Sequence, residues 1–176
     1  SQWIPAGERI ITVEDAAELR LHHEHVVRLE TRPPNLEGQR AVTARDLVRN
    51  ALRMRPDRII VGEVRGDEVL DMLQAMNTGH DGSMTTLHAN APKDALHRLE
   101  LLAGFAGYSG SENTFKGQVM SAIQLLVHVS RLPTGERRVM SITELTGASA
   151  DELSFRDLFR YDLDAGRHLD LRRGAA

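Results

Sequence analysis

Short apolar runs, separated by segments with helical periodicity, are the feature that most constrains how this chain can fold. Two of them, Arg9–Val13 and Arg58–Val64, are rich in Ile and Val and have the length of buried strands. Further strand candidates are His25–Thr31 and Ser83–Leu87. Because strands that alternate with helices at this spacing form βαβ units, the sequence predicts an α/β fold with a mostly parallel sheet and flanking helices.

The helices between these strands have recognisable start signals. Thr43 and Asp46 have the spacing of a capping box, which predicts a helix from about Thr43 to Arg55. Asp67 is a candidate cap for the next helix, and its neighbours Glu68 and Asp71 are interpreted with it as the exposed acidic start of that helix.

The C-terminal part of the chain has a different pattern. Pro92 can occupy the first turn of a helix, and a further helix near residues 113–123 precedes a predicted hairpin of residues 125–132 and 138–145. The residues that follow are weakly patterned. We therefore expect one domain over residues 1–145 and a peripheral segment over residues 146–176.

The composition narrows the classes of function. Only 4% of the residues are aromatic, so the core must be aliphatic. A formal net charge of -3 provides no basic field for coating nucleic acid, which disfavours a nucleic-acid translocase. No run approaches the roughly 20 apolar residues that a transmembrane helix requires. The absence of cysteine excludes disulfides and thiolate metal sites.

Chemically active side chains follow the predicted strands. Glu14 and Asp15 come after the first strand, Glu63 ends the Arg58 strand, and His88 follows the last one, with His80 in the loop before it. Because the carboxyl ends of parallel strands share one edge of a sheet, we expect Glu14, Glu63 and His88 to gather there. Singly, each is more simply a solvated loop charge. Together they favour a site that binds a divalent cation and orients a water.

These residues lie in three segments that resemble the signature boxes of the type II/type IV secretion ATPase superfamily. Thr12–Glu18 resembles the acidic box, Ile60–Gly66 the atypical Walker B box, and Gly79–His88 the histidine box. The runs LETRPPN and ALRMRPDRIIVGEVRG are most similar to the branch that serves Flp (tight-adherence) pili, with the conjugation-type ATPases next. The resemblance spans residues Ile4–Leu145.

The resemblance implies a RecA-like P-loop ATPase core that binds ATP and Mg²⁺ between the subunits of a hexamer. It also implies a cytoplasmic motor, peripheral to the inner membrane, that acts on a membrane platform protein and powers pilus assembly or protein secretion. By position, Glu63 would hold Mg²⁺ through water and organise the lytic water, and Glu14 would be the candidate general base. His88 would contact the γ-phosphate, and His80 would tie the Walker B strand to it.

Nucleotide binding would also involve residues near these boxes. The resemblance places Asp15, Arg32 and Arg65 beside the nucleotide, with Glu63. The sequence does not select one arginine finger. Its other candidates are Arg28, Arg40, Arg53 and Arg55, of which the last two are equally explained as solvated charges at a helix end.

One signature of such ATPases is missing from this sequence. The 176 residues contain no G-x-x-x-x-G-K-[ST], and neither of the two lysines, Lys93 and Lys116, follows a glycine-rich turn. We therefore expect the sequence to be the C-terminal part of a motor domain, truncated at its N-terminus and beginning after the Walker A loop. The alternative is a non-catalytic remnant that serves as an interaction or scaffold module.

The first prediction concerns the 176-residue chain by itself. We expect it to fold at least partly, because its aliphatic strands can pair and be covered by a helix. We also expect no ATPase activity and little affinity for ATP, because carboxylates repel phosphates unless a cation and a ring of backbone amides intervene. Circular dichroism and calorimetric titration with Mg·ATP test the two halves. Micromolar binding with phosphate release would contradict the second half.

Overall fold

The computed structural model describes residues 1–148 and 153–172, which form two compact units. The first unit contains residues 1–88 and 98–109, and the second contains residues 89–97 and the described residues from 110 onward. Each unit has its own four-stranded sheet.

The first unit is built on a parallel sheet. Its strands are β1 (Ile10–Glu14), β2 (Val26–Glu30), β3 (Arg58–Val61) and β4 (Met84–Thr85), in the order β2-β1-β3-β4. Every neighbouring pair is parallel, as the sequence predicts. β2 is one residue shorter than predicted at each end. β3 and β4 are shortened more, because the chain bends at Gly62 after β3 and only two residues of β4 pair with β3.

β1 is the centre of this unit. Ile10, Ile11 and Val13 are at most 1% exposed, and β1 is hydrogen-bonded on both sides. Helix α1 (Ala44–Ala51) packs near β1 with Val48 fully buried. A central parallel strand of this kind is buried on both faces, which explains its continuous apolar sequence.

The capping box predicted for α1 is present. The Thr43 hydroxyl oxygen accepts from the Asp46 backbone N–H at 3.1 Å, and the Asp46 carboxylate accepts from the Thr43 N–H at 3.0 Å. The backbone and hydroxyl hydrogen bonds from Thr43 lower the pKa of Asp46, so the carboxylate stays charged further into the acid range than a free aspartate does. After α1 the chain tightens into a 3-10 turn, α1′ (Leu52–Met54), within the predicted range.

Helix α2 (Glu68–Met76) differs from the prediction at its start. Asp67 is at the cap position but makes no side-chain cap. Its carboxylate instead accepts from Arg45 of α1 at 3.1 Å, and Arg45 also bonds Asp71 at 2.9 Å. Glu68 is only 5% exposed. The predicted cap is therefore wrong, because the guanidinium of Arg45 attracts the Asp67 carboxylate. Asp67 is exposed as predicted, whereas Glu68 and Asp71 are not.

The second unit is antiparallel, so the expectation of a mostly parallel fold holds for the first unit alone. Strands β5 (Leu125–Arg131), β6 (Arg137–Ala148), β7 (Leu153–Asp162) and β8 (Arg167–Asp170) pair in that order. The β5–β6 hairpin confirms the sequence prediction. β6 continues past residue 145, the predicted end of the main domain, and β7 and β8 lie in the segment that the sequence analysis found weakly patterned.

Two further helices complete the described structure. α3 (Pro92–Phe105) begins at the predicted proline, and α4 (Glu112–Ala122) precedes the hairpin as expected. Among the described residues, no helix has both the length and the apolar character that crossing a membrane demands.

The second prediction tests the central position of β1. Replacing Ile11 by Ala should lower the free energy of unfolding by about 2–5 kcal/mol, because the side chain is fully buried and its removal leaves a cavity. Val127→Ala is the control, since Val127 is a strand residue that is 58% exposed. Urea unfolding measures both, and equal losses for the two variants would contradict the assignment of β1 to the core.

Candidate active site

The ends of β1 and β3 bring two of the predicted residues side by side. Val13 pairs with Val61, and the Gly62 N–H donates to the Val13 carbonyl at 2.8 Å. A Cβ atom at Gly62 would lie 3.2 Å from Cγ of Glu14. Glu14 thus packs against the backbone that leads directly to Glu63, and a glycine gives it the room to do so.

Glu14 is buried at this edge, with 6% of its surface exposed. Its Oε2 accepts hydrogen bonds from the N–H groups of Glu18 and Leu19, each at 2.9 Å, and so anchors the loop after β1. Its Oε1 is also buried but has no hydrogen-bond partner among the described residues. A buried carboxylate oxygen without a partner is costly, which favours a ligand or a cation beside it.

Glu63 and His88 meet at the same edge. His88 Nε2 lies 3.4 Å from Glu63 Oε1, with the Glu63 side chain 33% exposed and the His88 side chain 84% exposed. The backbone around them is fixed, because Val64 N–H donates to the Thr86 carbonyl at 2.9 Å and Thr86 Oγ1 donates to the Gly62 carbonyl at 2.6 Å. The expected meeting of Glu63 and His88 at one edge of the sheet is therefore found.

Asp15 and Arg65, two of the residues expected near a nucleotide, are ion-paired with each other. Asp15 also accepts a hydrogen bond from Thr31 Oγ1 at 2.8 Å. Both charged side chains are more than half exposed. Water screens such a pair, so a stronger anion can compete with Asp15 for Arg65 at little cost.

Arg32 and His80 lie outside this group of contacts. Arg32 follows β2, where its Nε donates to the Arg40 carbonyl at 3.0 Å. His80 Nδ1 lies 2.9 Å from the Ala75 carbonyl. Ser83 links the His80 carbonyl to the backbone of Ile59, near the amino end of β3. The structure thus brings Glu14, Asp15, Glu63, Arg65 and His88 to the carboxyl edge and leaves His80 near the amino edge.

Sequence analysis missed the residues that shape this edge through backbone contacts. Gly62 and Thr86 hold Glu63 in place, and Thr31 holds Asp15. A glycine directly before an acidic residue at a strand end is a signal that could have been used, since such glycines often mark a close approach of backbone and side chain.

The carboxylates at this edge suit a cation that is shared with a bound ligand. Within residues 1–148 and 153–172, no three His, Asp or Glu side chains are grouped as a metal site would require. Carboxylate oxygens such as those of Glu14 and Glu63 suit Mg²⁺, which commonly uses one or two carboxylates together with waters and substrate phosphates. The donor set therefore fits a nucleotide-borne Mg²⁺.

Comparison with known proteins places this arrangement in a family. The sequence model of the family described as Type II/IV secretion system protein matches residues 1–150. The chain belongs to this family. The solved structure of the VirB11 ATPase from the Brucella suis type IV secretion system is similar, with a TM-score of 0.69 and 32% sequence identity, over 80% of this chain and 41% of VirB11.

Curated relatives support the same family. A Mycobacterium tuberculosis protein assigned provisionally to conjugal transfer is 50% identical over 145 residues, which cover 82% of this chain and 41% of that protein. The type IV secretion system protein PtlH of Bordetella pertussis is 40% identical over 158 residues, which cover 84% of this chain and 45% of PtlH. The chain therefore spans less than half the length of these relatives.

The third prediction tests the contact between Gly62 and Glu14. Gly62→Ala should lower the free energy of unfolding by about 1–3 kcal/mol, because the added methyl group must displace the buried Glu14 side chain. Gly104→Ala is the matched control, since no heavy atom lies within 4 Å of a Cβ added there and Gly104 is within helix α3. Urea unfolding of both variants measures the difference. Gly104→Ala should be at least as stable as the wild type, because Ala favours a helix over Gly by about 1 kcal/mol. A Gly62→Ala protein as stable as the wild type would contradict the packing described for Glu14.

Proposed function

We propose that this chain is the part of an ATP-hydrolysing motor that carries the catalytic carboxylates. The observation that supports this most directly is the position of Glu63. It follows the central strand β3 at the carboxyl edge of a parallel sheet, 3.4 Å from His88 and beside the buried Glu14. In α/β proteins this edge is where ligands bind.

Each residue has a role that its surroundings suit. Glu63 is half-buried on a fixed backbone, so its carboxylate can orient a water and help to hold Mg²⁺. Glu14 is the more buried acid, and its Oε1 has no hydrogen-bond partner within the described part of the chain, which suits a proton acceptor close to that water. His88 is largely exposed, so its imidazole is free to turn from Glu63 to a phosphate oxygen.

The positive charge for a phosphate would come from Arg65, released from Asp15, and from Arg32 on the neighbouring loop. Mg²⁺, when bound with ATP, would neutralise phosphate charge between the carboxylates and the nucleotide. The Brucella VirB11 structure was solved in complex with sulphate, a tetrahedral anion like phosphate. His80, held at Ala75, would act indirectly by fixing the loop before β4.

The whole protein would extend beyond these residues. We propose that it carries a phosphate-binding loop, has a RecA-like core and works as a hexamer in the cytoplasm, at an inner-membrane platform of a pilus or secretion system. VirB11 and PtlH are named as type IV secretion proteins, and the Mycobacterium tuberculosis relative is assigned to conjugal transfer. Service to an Flp pilus stays a prediction from the sequence runs alone.

A non-catalytic interaction or scaffold module is the second candidate, and the hydrogen bonds that Glu14 accepts from the Glu18 and Leu19 N–H groups support it, because they hold the loop after β1. In that case Glu14 and Glu63 would serve only to hold the loops at the sheet edge. The two candidates differ in whether the full-length protein hydrolyses ATP.

The fourth prediction tests the role of Glu63 in the full-length protein. Glu63→Gln should lower kcat by about 100-fold or more, because the amide cannot activate water, while nucleotide affinity stays within about threefold. Steady-state phosphate release and titration with a fluorescent nucleotide measure the two quantities. Glu112→Gln is the control, since Glu112 is exposed at the start of α4. Wild-type turnover in the Glu63→Gln protein would remove Glu63 from catalysis.

A further inference from the structure

Glu68 is the first residue of α2 and is unusual for a residue in that position because its side chain is buried, with 5% of its surface exposed. Its Oε1 accepts hydrogen bonds from two successive backbone N–H groups, that of Arg65 at 2.7 Å and that of Gly66 at 2.9 Å. A buried carboxylate is costly unless it is hydrogen-bonded, and bonds from amides to a charged acceptor are among the stronger ones in proteins.

Glu68 fits closely against the loop of residues 62–67, which joins β3 to α2. A Cβ atom at Gly66 would lie 2.9 Å from Oε2 of Glu68, so a residue with a side chain at Gly66 would push the carboxylate away. The second oxygen of Glu68 therefore also lies against the same two-residue segment. The carboxylate and the glycine together define one position for the backbone between Glu63 and α2.

The loop is fixed on its other side by β1 and by the segment after β4. Gly62 N–H donates to Val13, and Val64, which is 1% exposed, donates to the Thr86 carbonyl. Glu63 lies between those two bonds, and Arg65 follows immediately. Without Glu68, the backbone from Arg65 onward would lose the hydrogen-bond acceptor that holds it in place.

We propose that Glu68 is a positioning residue for the loop of residues 62–67. Through the Arg65 and Gly66 amides it sets where the Arg65 guanidinium and the Glu63 carboxylate lie. This inference rests on the proposed ATPase function. Glu68 itself touches neither water nor nucleotide in this scheme. It acts by removing the freedom of a loop whose side chains must meet a phosphate, and a displacement of about 1 Å in such a group can cost up to about 100-fold in rate.

Glu68→Asp is the decisive variant. It keeps the charge but shortens the side chain by one methylene, so the carboxylate cannot reach both amides. We expect kcat to fall by about 10-fold or more while nucleotide affinity changes by less than about threefold. Glu68→Gln keeps an oxygen acceptor at the same reach and should retain kcat within about fivefold, which separates the hydrogen bonds from the charge.

Glu112→Asp is the matched control. Glu112 is likewise the first residue of a helix, α4, but it is exposed and ion-paired with Lys116. It should leave kcat within about twofold of the wild type. Circular dichroism and thermal unfolding of all three variants show whether they are folded at the assay temperature.

A double-mutant cycle distinguishes a positioning role of Glu68 from a purely stabilising one. If Glu68 acts through Arg65, the kcat losses of Glu68→Asp and Arg65→Ala should be less than additive when combined. Backbone hydrogen exchange of the Arg65 and Gly66 amides should also be faster in Glu68→Asp, with the β1 amides unchanged. Additive losses, or a folded Glu68→Asp protein with wild-type kcat, would overturn the proposal.

ATPase activity of the full-length wild type distinguishes failure of this proposal from failure of the proposed function on which it rests. If the full-length wild type hydrolyses no ATP, the proposed function fails. If the wild type is active and Glu68→Asp is equally active, the motor assignment stands and the role of Glu68 fails. If Glu68→Asp is unfolded, the exchange rates and kcat of Glu68→Gln decide. Wild-type kcat in that variant together with exchange faster at Arg65 and Gly66 than in the wild type would overturn the proposal.

Discussion

The parallel pairing of β1 with β3 is the interaction on which the described site depends. It places Glu14 next to Gly62, and therefore next to the backbone of Glu63, although the two acids are far apart in sequence. Pairing of β3 with β4 and the Val64–Thr86 bond then bring His88 within 3.4 Å of Glu63. All five residues of β1 are buried, so the register is strongly specified: a slip of one residue would move a flanking charged residue, Arg9 or Asp15, into the core.

The carboxylates at this edge of the sheet are stabilised by hydrogen bonds and ion pairs with neighbouring groups. Glu14 is satisfied on one oxygen by backbone amides, Asp15 by Arg65, and Glu68 by two further amides. Among the described residues, Glu14 Oε1 is buried without a hydrogen-bond partner, and Glu63 contacts the exposed imidazole of His88, so both acids are available to a ligand. The same fold supports many functions, so geometry alone does not assign a role to these carboxylates. The proposed role in ATP hydrolysis also depends on membership of the secretion family.

Carboxylates in this unit with similar sequence surroundings have different structural roles. Asp67 and Glu68 are adjacent in sequence, yet Asp67 pairs with Arg45 and Glu68 is buried against the Arg65–Gly66 backbone. The difference arises because the Asp67 side chain points toward α1 and the Glu68 side chain toward the loop after β3. Glu68 is therefore linked to the site, whereas Asp67 joins α2 to α1.

The approximate positions of β1 to β6, the α1 capping box and the start of α3 follow from the sequence, because they depend on local periodicity and local hydrogen bonds. The shared edge of Glu63 and His88 also follows from it, since parallel strands end together. Strands β7 and β8, the burial of Glu14 and Glu68, the Asp15–Arg65 pair and the position of His80 became apparent in the folded structure. Those depend on which backbone amides and charges approach from distant segments, and residue type and spacing do not specify that.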